Sequence, residues 1–203
     1  MKKLFVMLLA ITIFLFFVAC ERPNLTRNEK PVETEAPEFS RGVVEGQKYE
    51  SEFIGIRYEA PEGWYFLTDK QIKRYVSSKT DNLIYDMAVA NSDQSNMVYV
   101  FLQEMEEHTL KAINFVQIFE QLAPEVTSVL QEEKYVDIQC YVDKITVDGK
   151  RLTCLKASAL REDIPMYQMT FARKCNGHLA YVTIVAINED NLESLLETFS
   201  WLE

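Results

Sequence analysis

Nucleophilic catalysis needs a base beside the nucleophile, and this chain offers few residues for such a pair. It has two histidines, His108 in the acidic stretch EMEEH and His178 beside the turn-forming Asn176-Gly177. Cys175 and His178 flank that turn, so a thiolate–imidazolium pair is geometrically conceivable. A turn tip, however, lacks the cleft and the oxyanion donors that such chemistry requires. We therefore expect both histidines to be solvated surface residues, and we predict no catalytic residue.

Metal binding needs clustered nitrogen and sulfur ligands or a defined cage of oxygen atoms. The chain has no C-x-x-C, H-E-x-x-H or EF-hand loop. The stretch NSDQSN (91–96) offers oxygen ligands, but a polar hairpin loop explains it without an ion. The six glycines form no phosphate-binding cluster, and nothing singles out a carboxylate pair for glycoside hydrolysis. We predict no metal and no cofactor.

The N-terminus carries the clearest chemical signal. The basic MKK precedes the apolar block LFVMLLAITIFLFFV, and the small Ala19 stands immediately before Cys20. This block is shorter than the roughly 20 residues that cross a bilayer, and Glu21, rather than a basic cluster, follows Cys20. Residues 1–19 are therefore predicted to be a signal peptide.

The stretch FVAC resembles the lipobox of bacterial lipoproteins, in which the cysteine receives a diacylglycerol and becomes the mature N-terminus. Phe17 departs from the leucine that is usual three residues before that cysteine. Two or more acyl chains hold a protein stably on a bilayer, whereas a single chain holds it marginally. The resemblance implies lipidation at Cys20, with the rest of the chain on the extracytoplasmic face of a bacterial plasma membrane. An ordinary cleaved signal peptide or an uncleaved anchor is the alternative.

The charge excludes some partners. The formal net charge is -10, and because the leader adds +2 through Lys2 and Lys3, the remainder carries -12. Such a surface repels the phosphates of nucleic acids and anionic lipids, so we expect no nucleic-acid partner. Residues 20–49 are polar, contain several prolines and lack apolar periodicity, which predicts a flexible tether; the folded domain is predicted over residues 50–203.

The first half of that domain mixes strand and helix signals. EFIGIRYEA, WYFL, NLIYDMAVA and NMVYVFLQEM are typical of strands. Thr68 and Gln71 have capping-box spacing, which predicts a helix from Thr68 to about Val76. The apolar stripe of TLKAINFVQIFEQLA predicts a second helix that ends at Pro124.

The second half contains two hairpins whose turns fix their registers. Asp148-Gly149 and Asn176-Gly177 favour two-residue type I′ turns. These turns pair Val142 with Leu155, Cys140 with Ala157, Asp143 with Cys154, Phe171 with Val182, and Met169 with Ile184. Val136 and Ile138 share the apolar face of Cys140, and Cys154 lies on the other face beside Tyr141 and Lys156. Cysteines on opposite faces cannot bond, so we predict three free cysteines, Cys140, Cys154 and Cys175, with Cys140 buried.

Two further patterns concern packing. A terminal amphipathic helix is predicted from Leu192, Leu195, Leu196, Phe199 and Leu202, with Asn188 or Asp190 as its cap. The tyrosines at 141 and 181 fall on the faces opposite Cys140 and Val182, and we expect both to pack in a core.

The stretch EAPEGWYFLTDKQI predicts a corner that the fold needs. Pro61 cannot donate a ladder hydrogen bond, and Gly63 permits a tight reversal. Trp64 is then expected to turn inward as an anchor between sheet and helix, and Thr68 to cap the helix that follows.

The order of these elements resembles the PsbP/Mog1-type α/β/α sandwich, and more closely the small Firmicutes lipoproteins that carry this domain. The resemblance rests on FIGIRYEAPEGWYFLTDKQI, YDMAVANSDQSNMVYVFLQEM and NLESLLETFSWL. It implies an α+β fold with an antiparallel sheet of about six to eight strands flanked by helices. Characterised relatives of that fold are non-enzymatic, so it implies binding.

We therefore expect a membrane-anchored, extracytoplasmic lipoprotein whose non-catalytic domain binds an unidentified envelope protein or small ligand. A cell-envelope hydrolase and a structural component of an envelope assembly are the alternatives. A pocket with converging polar groups of perturbed pKa would favour the hydrolase. A contiguous exposed apolar patch would favour the assembly component.

The lipidation of Cys20 can be tested directly. Radioactive palmitate should label the chain in growing cells, and globomycin should block its processing. Cys20→Ala should abolish both effects, whereas Cys175→Ala should leave them unchanged. Labelling that persists in Cys20→Ala would contradict the lipobox interpretation.

Overall fold

The computed structural model describes residues 38–75 and 83–202, and for residues 73–75 the backbone alone. The predicted signal peptide, Cys20 and residues 21–37 lie outside the described residues. None of the described helices is both long enough and apolar enough to cross a membrane.

The described residues form eleven strands and four helices. The strands are β1 (Val43–Glu45), β2 (Lys48–Ser51), β3 (Ile56–Glu59), β4 (Tyr65–Phe66), β5 (Leu83–Ala90), β6 (Met97–Glu104), β7 (Val136–Val147), β8 (Lys150–Arg161), β9 (Ile164–Cys175), β10 (His178–Ala186) and β11 (Phe199–Trp201). The helices are α1 (Asp69–Tyr75), α2 (Glu107–Ala112), α3 (Phe115–Glu132) and α4 (Glu189–Glu197).

The strands make two antiparallel sheets. The larger has seven strands in the order β4-β5-β6-β10-β9-β8-β7, and the smaller has four in the order β1-β2-β3-β11. The predicted mixed fold, with an antiparallel sheet of about six to eight strands flanked by helices, is confirmed.

Each face of the seven-stranded sheet has its own hydrophobic core. On one face, which we call the helix face, the core includes residues of α1, α2 and α3, such as Ile72, Leu110 and Leu122. On the opposite face, which we call the small-sheet face, it includes Tyr58 and Phe199 of the small sheet and Leu195 of α4. The second flank is therefore a sheet together with one helix, because four short strands cover apolar surface there.

The predicted hairpin registers are confirmed. Val142 pairs with Leu155, Cys140 with Ala157, Asp143 with Cys154, Phe171 with Val182, and Met169 with Ile184. Both turns have the two positive φ angles of a type I′ turn, 45° and 75° at Asp148-Gly149 and 35° and 75° at Asn176-Gly177.

The three cysteines in the described residues are free, as predicted, but their burial differs from the prediction. Cys154 and Cys175 are buried, whereas Cys140 is only half-buried because it lies on the edge strand β7. Val136 does not share the predicted apolar face. A bulge after it, with a φ of 52° at Asp137, shifts the register and leaves Val136 56% exposed.

The prediction of one helix ending at Pro124 is wrong in two respects. Asn114 accepts a hydrogen bond from the backbone N–H of Val116 at 3.0 Å, so a new helix, α3, begins there. That helix continues through Pro124 to Glu132. An internal proline costs about 3 kcal/mol, and burial of Leu122, Val126 and Leu130 against the sheet offsets that cost.

The terminal helix is shorter than predicted. Asn188 provides its cap, accepting from the Asn191 N–H at 2.7 Å, and the helix ends at Glu197. Phe199 instead lies in β11 and pairs with Tyr58 of β3, which satisfies the edge of β3 and brings the two rings into a tilted contact with 4.7 Å between centroids.

The predicted boundary between tether and domain, after residue 49, falls inside β2. Residues 43–51 form the β1–β2 hairpin, and Phe39 packs edge-on against Phe53 with 5.3 Å between centroids. Backbone pairing and Tyr49, which is fully buried, hold this segment against the domain despite its polar sequence.

A buried carboxylate joins the two sheets. Asp86 lies at a bulge of β5 and is 3% exposed. Its side chain accepts hydrogen bonds from the Tyr49 hydroxyl of β2 and, at 2.7 Å, from the Gly42 N–H. Arg41 donates to the Asp86 carbonyl at 2.9 Å. There is no room for a side chain at position 42, since a Cβ there would lie 2.4 Å from the Tyr49 ring.

Loss of this carboxylate should destabilise the whole domain. We expect Asp86→Ala to lower the free energy of unfolding by about 3 kcal/mol, because two buried donors lose their acceptor. Asp86→Asn keeps an oxygen for Gly42 and a polar partner for Tyr49, so its cost should be about 1 kcal/mol. Urea unfolding of the full chain in detergent, followed by tryptophan fluorescence, measures both. Equal costs for the two variants would contradict this role.

Candidate functional site

The candidate site is a cavity of about 320 Å³ on the small-sheet face of the seven-stranded sheet. Strands β7, β8 and β9 are twelve residues long. The small sheet packs near their Asp148-Gly149 end, where Trp201 donates from Nε1 to the Val147 carbonyl at 2.8 Å. The other ends of the three strands extend beyond the small sheet, and their side chains line the cavity. We call this cavity the sheet-face pocket.

The hairpin registers bring the pocket side chains together. Tyr141 of β7 lies opposite Lys156 of β8, and Gln139 lies opposite Ser158. Ser158 in turn lies opposite Tyr167 of β9. Directly opposed side chains stand about 5 Å apart, and neighbours two residues along a strand about 7 Å apart. The five side chains therefore form one compact polar and aromatic surface.

Helix α4 forms the wall of the pocket. Glu189 in its first turn and Leu192 line the cavity, and Leu192 is buried against the small-sheet core. Ala157 and Gln168 also border the pocket, but their register places their side chains on the helix face. Their contribution to the pocket is therefore backbone.

The charges of the pocket are largely balanced. Lys156 Nζ lies 2.9 Å from Asp143 Oδ2, and this contact lowers the pKa of the Asp143 carboxyl. Burial lowers the pKa of Lys156, but the hydrogen bond and charge of Asp143 outweigh it, so the net shift is upward. Lys156 is consequently held as an ammonium and is a hydrogen-bond donor rather than a nucleophile or base.

The two tyrosines that were predicted to be core residues differ. Tyr181 is fully buried, as predicted, whereas Tyr141 is 47% exposed and lines the pocket. The prediction for Tyr141 is wrong because neither the small sheet nor α4 reaches that part of β7.

A polarity change along β7 could have identified these residues. On its small-sheet face β7 reads Gln139, Tyr141, Asp143 and then Ile145, Val147. Strands β8 and β9 change in the same way, from Cys154 and Phe171 to Lys156, Ser158 and Tyr167, and beyond this polar segment Leu160 of β8 pairs with Val136. When alternate residues of a strand change from polar to apolar along its length, other elements are expected to cover only the apolar part of that face.

The histidines and cysteines give no catalytic pair in the described residues. His108 is exposed, as predicted, and lies near Glu106. The prediction that His178 is solvated is wrong: it is buried between Phe53 and Phe39, and its Nδ1 lies 2.9 Å from the Asn176 carbonyl. Cys175 lies opposite His178, but burial raises the pKa of its thiol to about 11, which disfavours a thiolate.

Oxygen ligands do not converge in the loop at 91–96. Its oxygen atoms are taken up by hydrogen bonds: the Asn91 amide donates to Ser95 Oγ at 3.0 Å, and the Ser95 hydroxyl donates to Asp93 at 2.7 Å. Asn96 accepts from the Ile187 N–H at 3.2 Å. Within residues 38–75 and 83–202, no three His, Cys, Asp or Glu side chains are grouped so that they could hold a metal ion.

A larger cavity of about 490 Å³ follows the β1–β2 hairpin. Among its charged side chains, Arg41 pairs with Asp69 at 2.6 Å, and Glu50 pairs with Arg57. Glu45, Lys48 and Glu52 line it as well, and no aromatic side chain is among the described residues of its lining. This cavity therefore offers a ligand charged groups but no ring to stack on, unlike the sheet-face pocket.

The corner residues occupy a tight reversal between β3 and β4. The Trp64 N–H donates to the Pro61 carbonyl at 3.1 Å, and Gly63 has a φ of 81°. Trp64 is half-buried against the small-sheet core. The Thr68 N–H donates to Gln71 Oε1 at 2.9 Å, which is one half of a capping box at the start of α1. These four residues lie apart from the pocket lining.

Comparisons with known proteins show similarity of structure only. No family model and no curated protein matches the chain. A protein of Bacteroides thetaiotaomicron is similar to it with a TM-score of 0.42 and 9% identity, over 79% of this chain and 50% of that protein. LpqN, involved in cell envelope biogenesis of Mycobacterium tuberculosis, is similar with a TM-score of 0.38 and 15% identity, over 70% of this chain and 75% of LpqN. The chain thus spans half the length of the first protein.

The thiols should be unreactive in the folded chain. Burial raises the pKa of Cys140, Cys154 and Cys175 to about 11 each, so about one thiol in a thousand is ionised at pH 8. In a full chain carrying Cys20→Ser, we expect Ellman's reagent to react about a hundredfold faster after unfolding in guanidinium chloride. Half-buried Cys140 should be the first to react. A thiol that reacts natively at its unfolded rate would contradict this.

Proposed function

We propose that this protein is a lipid-anchored binding protein of the bacterial envelope whose domain binds a small polar ligand, without catalysis, in the sheet-face pocket. The observation that carries the proposal is the convergence of side chains from three strands and α4 on one open cavity. Cavities of roughly 300–1,000 Å³ with a few convergent polar groups are the usual form of small-ligand sites.

The location is supported by the sequence. The predicted signal peptide ends immediately before Cys20, and a lipid on that cysteine would hold the chain at the extracytoplasmic face of the plasma membrane. The membrane is then the first partner of the protein. The resemblance to Firmicutes lipoproteins with a PsbP/Mog1-like domain is part of this proposal and favours binding over catalysis.

The absence of catalysis is supported by the chemistry of the pocket. Lys156 is held charged by Asp143, and the described histidines and cysteines do not line the cavity. Glu189, in the first turn of α4, is exposed, and no second carboxylate is among the residues that line the described pocket with it. A glycosidase would need such a pair.

Amide chemical shifts of the ¹⁵N-labelled full chain in detergent test the binding role. The probes are methyl α-D-glucopyranoside, inorganic phosphate and putrescine, which cover neutral, anionic and cationic ligands. We expect at least one to shift the amides of the pocket strands saturably, and to be recovered unchanged. Tyr141→Ala should raise its Kd about tenfold, because an aromatic contact is lost.

Val136→Ala is the matched control, since Val136 is exposed on the same strand outside the pocket and should leave Kd unchanged. Failure of all three probes to shift the pocket amides would contradict the proposed function. So would a Kd that is unaffected by Tyr141→Ala. Chemical conversion of a probe would contradict the absence of catalysis.

A further inference from the structure

We propose that the sheet-face pocket binds a neutral saccharide ring. This inference rests on the proposed function and names the class of its ligand. It depends on three properties of the pocket: its charges, its tyrosine rings and its mixture of hydrogen-bond donors and acceptors.

The charges exclude strongly anionic ligands. Among the described residues that line the pocket, the one cation is Lys156, and it is already paired with Asp143 at 2.9 Å. Helix α4 offers no anion site, because Glu189 and Asp190 occupy its first turn and Asn188 caps it. A phosphate or carboxylate would have to displace Asp143 while facing Glu189, within a chain of net charge -10.

A cation gains little from the pocket. Because Asp143 compensates the charge of Lys156, the remaining charge among the described residues that line the pocket is the Glu189 carboxylate. Glu189 is exposed, so solvent screens its attraction for an incoming ammonium group. An anion therefore faces a carboxylate, a cation gains only a screened one, and a neutral ligand needs neither.

The tyrosines supply the apolar part of a saccharide site. A pyranose ring has a face of C–H bonds and a rim of hydroxyl groups. Tyr141 presents a ring that is 47% exposed, and Tyr167 is half-buried two strands away. An aromatic ring can cover the C–H face while its own hydroxyl stays available at the edge.

The other polar groups of the pocket match the hydroxyl groups at the rim of a pyranose ring. A sugar hydroxyl both donates and accepts, so its site needs donors and acceptors together. Lys156 donates, Glu189 accepts, and Gln139 and Ser158 do both. The cavity, about 320 Å³, lies at the lower end of the range for ligand sites, which favours one or two sugar rings.

The test compares matched hexoses by the amide shifts of the full chain in a detergent without a sugar headgroup. The neutral probes are the methyl glycosides of glucose, galactose and mannose, together with N-acetylglucosamine. The charged counterparts are glucosamine and glucose 6-phosphate. We expect at least one neutral probe to bind saturably at the pocket, and both charged hexoses to bind several-fold more weakly.

Three substitutions, at Tyr141 and Glu189, separate the contributions of the ring and of the carboxylate. Tyr141→Phe should retain binding of the neutral probe because the ring remains, whereas Tyr141→Ala should weaken it about tenfold. Glu189→Gln keeps an accepting oxygen and should also retain binding. Loss of neutral-probe binding in Glu189→Gln would show that binding requires the negative charge of Glu189 and would overturn the inference.

The outcomes distinguish the two proposals. If phosphate or putrescine binds at the pocket and no neutral saccharide does, the saccharide inference is wrong and the proposed function stands. If no probe of any class binds there, both are wrong. Circular dichroism of each variant confirms that a loss of binding is not a loss of fold.

Discussion

The attachment of the four-stranded sheet to the seven-stranded sheet depends on one buried carboxylate. Asp86 can be 3% exposed only because its oxygens are occupied by the Tyr49 hydroxyl and the Gly42 N–H. Burial and the nearby Asp86 raise the pKa of Tyr49, so its hydroxyl remains a donor at physiological pH. The bulge in β5 directs Asp86 and Met87 toward the same face, and the N-terminal strands are fixed where that carboxylate is satisfied.

That attachment decides which part of the larger sheet is left open. The last strand of the small sheet, β11, contacts the Asp148-Gly149 turn: the Trp201 N–H donates to Asp148 at 3.0 Å, and Lys150 and Arg173 lie over the indole ring. The small sheet therefore covers only one end of β7, β8 and β9. Helix α4 covers the middle of the sheet, and the opposite ends of the three strands remain open and form the pocket.

Features set by local chemistry could be predicted from the sequence, and those set by tertiary packing could not. The registers followed from Asp148-Gly149 and Asn176-Gly177, because each dipeptide adopts two positive φ angles at little cost. The turn at Glu162-Asp163 has the same geometry without glycine, at φ of 50° and 62°, and no residue type signals it. Pro124 lies inside α3, and Phe199 lies in β11 rather than in the predicted terminal helix, because packing against distant strands outweighs local preference. The exposure of Tyr141 likewise depends on tertiary packing, because it is set by where the small sheet ends.

The polarity switch along β7, β8 and β9 connects the fold with the pocket. If this end of the sheet had no role beyond folding, we would expect one of two patterns. Either the apolar series of Ile145 and Val147 would continue and be buried by another element, or scattered charged side chains would face solvent. Instead the free end carries Tyr141 and Tyr167, and a lysine whose charge is already neutralised by Asp143. Because the Lys156–Asp143 pair is close to neutral, it contributes little to solubility. The tyrosine rings and the hydrogen-bonding groups around it remain available to a ligand. This combination is expected of a surface that binds a neutral, polar ligand, as we propose.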